Sequence, residues 1–126
     1  MITGKFPSLR LRRSRKNDWS RRLVEENNLT PNDFILPIFI IDGKNKKLPI
    51  KSMPDVYRYT LDKLSYVVDK ALKNELPMVA LFPYTNSKKK NAFGTEALNE
   101  DNLVCKAIQL IIKKYKNQTG IMCDVA

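Results

Sequence analysis

The residues of this chain that could do chemistry are few, and Asp124 is the most pointed of them. It follows the apolar run Gly120-Ile121-Met122-Cys123, so a strand-like stretch delivers a single carboxylate at its tip. A carboxylate at the C-terminal end of a strand sits where barrel enzymes place their chemistry, and it can equally cap a following helix or pair with a lysine. The two cysteines, Cys105 and Cys123, are too few for a disulfide scaffold and suit a reducing compartment, the cytoplasm. Both read as ordinary small buried residues. The third group is basic: six of the seven arginines, Arg10, Arg12, Arg13, Arg15, Arg21 and Arg22, lie in the first 22 residues. Their readings are contacts with an acidic surface or carbonyls of another subunit, plain solvation, or nucleic-acid binding.

The elements that must position these residues alternate. Residues 1–34 read as an arm: Leu9–Arg15 alternates apolar and basic and then loses its pattern. A short helix is expected over Asp18–Asn27, capped by Asn17 or Asp18, with Trp19, Leu23 and Val24 on one face and Trp19 as its anchor. Thr30-Pro31-Asn32-Asp33 is a turn. Residues 35–126 form the body. Ile35–Ile41 is apolar on both faces, as a buried parallel strand is, with Pro37 near its start or at an unpaired position. Asp42–Pro54 is polar and turn-rich, with room for a small hairpin. Leu61, Leu64, Val67, Val68, Ala71 and Leu72 share one face of a helix capped by Thr60. A second strand covers residues 78–83, with Phe82 read as a core residue. A long loop to Asn99 follows, in which Lys88-Lys89-Lys90 reads as a wet loop rather than a lid. The next helix turns Leu103, Val104, Ala107, Ile108, Ile111 and Tyr115 inward, Gly120 stops it, and residues 121–125 form the third strand.

Strands beginning at Ile35, Met78 and Ile121 are 43 residues apart each time, the rhythm of a parallel sheet with helical crossovers. A doubly wound sheet and a (β/α)8 barrel both fit. A nucleotide-binding sheet wants a Gly-rich turn after its first strand, and Asp42–Lys47 has one glycine and no helix start, which favours the barrel. The chain then ends at Ala126 with no cap or covering helix, leaving an open sheet edge. The expectation is therefore the front part of a longer protein: an arm, then the first three β/α units of a truncated barrel. Alone, such a chain should aggregate or stay partly unfolded, with the inward side chains Ile38, Phe39, Val79 and Leu81 exposed.

A net charge of +10 invites a nucleic-acid reading. The lysines are scattered over loops and helix faces, however, and only Phe6 and Trp19 lie near the arginines, too few for a base-stacking platform. No apolar run approaches the roughly 20 residues that span a bilayer, and no apolar segment follows the basic N-terminus as in a secretory signal.

The ordered pieces Arg10–Arg13, Trp19–Asn27, Leu29-Thr30-Pro31, Pro37-Ile38-Phe39, Ser52–Val56, Val79–Pro83, Glu96–Asn99 and Cys123–Ala126 resemble the porphobilinogen synthase (delta-aminolevulinic acid dehydratase) family over essentially the whole chain. That resemblance implies a homo-oligomeric (β/α)8 barrel, an octamer in the family, whose N-terminal arm wraps a neighbouring subunit; Arg10, Arg12 and Arg13 then become arm contacts. It implies a lyase that condenses two 5-aminolevulinate molecules to porphobilinogen with loss of two waters, in haem and tetrapyrrole synthesis. Two lysines on later strands hold the substrates as Schiff bases. They lie beyond Ala126, and none of this chain's lysines is expected within a strand, so the chain alone is expected to be inactive. Asp124 matches the family aspartate that faces the substrate pocket. Ala126 stands where zinc-dependent members carry the first of three cysteine ligands. The resemblance therefore implies a zinc-independent member with magnesium at an allosteric position whose ligands lie outside this chain. Two readings remain beside it: a non-catalytic remnant that docks on full-length subunits through its arm, and a small basic nucleic-acid-binding domain.

Overall fold

The computed structural model describes residues 4–9 and 12–124. Its centre is a five-stranded sheet of order β2-β3-β1-β4-β5, with β1 Ile35–Ile41, β2 Lys47–Pro49, β3 Tyr57–Tyr59, β4 Met78–Tyr84 and β5 Gly120–Cys123. β1 pairs in parallel with β4 along its whole length, Ile35 opposite Met78 through Ile41 opposite Tyr84. β5 joins β4 in parallel, Met78 opposite Gly120 through Leu81 opposite Cys123. The connections from β1 to β4 and from β4 to β5 each carry a helix, α2 Leu61–Lys73 and α3 Leu103–Tyr115. This is an α/β fold with a parallel sheet.

Side chains alternate across a strand, and that period decides what is covered. Ile38, Ile40, Val79 and Leu81 share the face that packs on Leu64 and Val68 of α2 and on Ala107 and Ile111 of α3; all eight are essentially inaccessible. Phe39, one residue out of phase with Ile38, lies on the opposite face, where its ring stacks at 5.4 Å on Phe82. Ile38, Val79 and Leu81 are thus the helix-covered core and not an exposed inward face; the uncovered face carries Phe39, Phe82 and Met122. The two helices are tied to each other at Tyr115, whose hydroxyl donates to Asp69 Oδ1 (2.6 Å) and lies 3.0 Å from the Ser65 carbonyl.

The expected small hairpin lies further along the chain than residues 42–54. β2 and β3 are antiparallel, Lys47 opposite Tyr59, around a turn in which Asp55 takes a left-handed φ of 61°. β3 then pairs in parallel with β1 at Phe39 and Ile40. Lys47 therefore does lie in a strand, against the expectation for the lysines, because the hairpin gives a polar stretch backbone partners that its apolar pattern does not advertise.

Three local expectations change. Thr60 occupies the N-cap position of α2, but its buried hydroxyl accepts from the Lys46 amide (3.0 Å) instead of from the helix. Gly120 begins β5 rather than stopping α3; the helix ends at Tyr115, and Lys116 reverses the chain at φ 52°, ψ −119°. What Gly120 supplies is room, since a Cβ there would come within 2.9 Å of Met78 Cε. The helix α1 is shorter than expected, Asp18–Leu23, and Trp19 is 63% exposed, so it is not buried as an anchor among the described residues.

Candidate functional site

In a parallel sheet every strand points its C-terminal end the same way, so the residues just beyond those ends gather at one edge. Here these are Asp42 after β1, Tyr84 and Thr85 at the end of β4, and Asp124 after β5. Asp124 is fixed in the ladder, its amide donating to the Leu81 carbonyl at 3.0 Å. Together with residues of the β4–α3 loop these ends enclose a cavity of about 190 Å³, lined among others by Asp42, Tyr84, Lys89, Glu96, Leu103 and Asp124.

The β4–α3 loop is built from short polar turns. Asn86 Oδ1 accepts from the Lys88 amide, and Asn91 Oδ1 accepts from the amides of Phe93 and Thr95. Gly94 takes a left-handed φ of 63°. Asn102 ends the loop by accepting from the Cys105 amide at 2.8 Å, which caps α3. Lys89 Nζ sits between two carboxylates, 3.2 Å from Glu96 Oε1 and 3.5 Å from Asp42 Oδ2. The hydrogen bond to Glu96, then the charge of Asp42, raises the Lys89 pKa and keeps the amine protonated. Hydrogen bonds from Asn99 and then Lys89 hold Glu96 below the usual carboxylate range. The edge therefore presents carboxylates and an ammonium beside apolar lining such as Leu103, an arrangement able to hold a small charged organic molecule.

Of the residues singled out from sequence, Asp124 lines this cavity. Arg12 and Arg13 lie at the start of a short 3-10 turn, Arg13–Arg15, exposed and without an ion pair among the described residues. Arg21 and Arg22 both pair with Asp18. Arg10 and Ala126 lie outside the described residues. Cys105 is half-buried on α3, as a small core-edge residue should be, but Cys123 is exposed, which corrects its reading as buried. Phe82 is half-buried, on the face away from the main core. The triple-lysine loop is tied down at Lys89 rather than merely wet. Sequence reasoning missed Asp42, Lys89 and Glu96. The signal for Asp42 was present, since it follows the first apolar run as Asp124 follows the third; Lys89 and Glu96 carry no such mark. Among the described residues no group of three or more His, Cys, Asp or Glu could hold a metal ion.

Parallel strands with helices packed on one face, and a cavity lined by charged side chains at their C-terminal ends, place this chain in the α/β class. Residues 8–126 match the family model for delta-aminolevulinic acid dehydratase, and the chain belongs to that family. Similar relatives include the delta-aminolevulinic acid dehydratases of Bradyrhizobium diazoefficiens, 45% identical over 94% of this chain and 33% of the relative, and of Methanothermus sociabilis, 38% identical over 96% and 37%. The crystal structure of the Toxoplasma gondii enzyme in complex with its reaction product porphobilinogen superposes with a TM-score of 0.81 at 32% identity, covering 94% of this chain and 33% of that one. The chain thus spans about a third of the length of these relatives.

Proposed function

We propose that this chain contributes the arm and first strands of a porphobilinogen synthase, the lyase that condenses two 5-aminolevulinate molecules to porphobilinogen with loss of two waters. The observation that carries the reading is the family match over residues 8–126 together with a carboxylate, Asp124, at the C-terminal edge of the sheet beside a charged cavity. In this reading Asp124 faces substrate, where an ionised carboxylate holds a substrate ammonium or takes up a proton as the new bonds form. Residues 1–34 are the arm, residues 35–126 the barrel portion, and Arg10, Arg12 and Arg13 contact a neighbouring subunit, to which a guanidinium offers paired hydrogen bonds. The Schiff-base lysines belong to later strands, so this chain by itself binds no substrate covalently. The zinc-independent, magnesium-responsive class rests on Ala126, whose side chain offers no ligand. The assembled enzyme is a cytoplasmic homo-oligomer, octameric as in the family.

Borohydride trapping tests the division of labour. The chain is incubated with 5-aminolevulinate, reduced, and analysed by mass spectrometry, alone and with the complementary two-thirds of the Bradyrhizobium relative. The expected result is no adduct on this chain in either sample and an adduct on the complementary polypeptide. A reduced adduct on any lysine of this chain would overturn the assignment.

A further inference from the structure

We propose that residues 85–98 form a lid over the Asp124 cavity, latched to the sheet by the ion pair between Lys89 and Asp42. The connection between β4 and α3 runs from Thr85 to Asn102, longer than most in compact domains, and is built of two short 3-10 turns, Ser87–Lys89 and Thr95–Leu98, that lie over the C-terminal strand ends and line the cavity at Lys89 and Glu96. Its own turns are closed by its own asparagines, through Asn86 to Lys88 and Asn91 to Phe93 and Thr95. Two exposed apolar side chains on it, Phe93 (88%) and Leu98 (81%), find no packing on the core. What joins the loop's middle to another strand end is Lys89, which reaches Asp42 beyond β1 while Glu96 holds it from within the loop.

The strength of that latch suits a moving part. Lys89 and Asp42 are each about half exposed, 47% and 56%, and such pairs are weak and screened by salt. The lid therefore opens readily, and a carboxylate-bearing molecule arriving at the edge competes with Asp42 for the Lys89 ammonium. The inference goes beyond the assigned reaction: it concerns access to the cavity and is read without substrate, so it stands or falls separately from that assignment.

Limited chymotrypsin digestion tests it, following cleavage after Phe93 in the full chain and in an Asp42→Asn variant, which leaves the loop's own sequence and its Glu96 contact intact. Cleavage after Tyr66, inside α2, reports global unfolding in the same digest. Breaking the latch is expected to speed the Phe93 cut about two- to fivefold with the Tyr66 cut unchanged. Raising salt is expected to speed it in the native chain and not in the variant. Equal Phe93 rates in the two proteins, a native rate insensitive to salt, or acceleration only in step with Tyr66 would each overturn the lid. A Lys89→Arg variant, which keeps the charge, should digest like the native chain, and rapid cutting there would also count against the latch.

Discussion

Lys116 pays for the turn between α3 and β5 with its own backbone. Its φ of 52° and ψ of −119° fall where glycine is comfortable and a side chain is not, and the turn closes with the Gln118 amide donating to the Tyr115 carbonyl at 3.1 Å. Strain of this kind costs of the order of 1–3 kcal/mol. Lys116→Gly should therefore raise stability by about 1 kcal/mol after the entropy that glycine adds to the unfolded chain is set against it. Urea denaturation checks this, and a lowered midpoint would contradict it. Gly120 gives the opposite case. A methyl there meets the mobile end of Met78 rather than backbone, so Gly120→Ala should shift the melting temperature little.

At the scale of elements, the hydrophobic period made β1, α2, β4 and α3 legible, because Leu64, Val68, Ala107 and Ile111 must all face one layer. Ile111→Ala removes a fully buried side chain between α3 and the sheet and should cost about 2–5 kcal/mol, measured by urea denaturation. The β2–β3 hairpin was only half legible: strands of three residues carry too little pattern, and their pairing is decided by distant partners such as Phe39. The entry to α2 was misread for a related reason. A threonine before a helix suggests a cap, but folding brings Lys46 within reach of Thr60 and the Asn45 amide within 3.0 Å of Asp62. That amide, then the Thr60 side chain, lowers the Asp62 pKa, and the Thr30 amide lowers that of Asp33. A carboxylate depressed in the folded state stabilises above its unfolded pKa, near 4, and loses that contribution as pH falls through the lower folded value. Melting temperature should thus fall between neutral pH and about pH 3, and less steeply in Asp62→Asn; parallel curves for the two proteins would contradict this.

At the scale of the molecule, both crossover helices lie on one face of the sheet, and the other face presents Phe39, Phe82 and a half-exposed Met122. That asymmetry is what a barrel wall needs, and in the isolated chain it is an adhesive surface. Sedimentation velocity should show concentration-dependent self-association that weakens in Met122→Lys; a monomer at every concentration would contradict it. The candidate site shows the same limit of sequence reading. Asp124 could be found from its place after a strand, but the Lys89 bridge from Glu96 to Asp42 exists only once β1 and β4 lie side by side. If these residues build one wall of a porphobilinogen synthase, fusing the chain in frame to the remaining two-thirds of the Bradyrhizobium relative should give a protein that forms porphobilinogen from 5-aminolevulinate. The account predicts product from the fusion and its loss in Asp124→Ala with the fold intact by circular dichroism; a folded fusion that makes no product, or full activity without the Asp124 carboxylate, would contradict it.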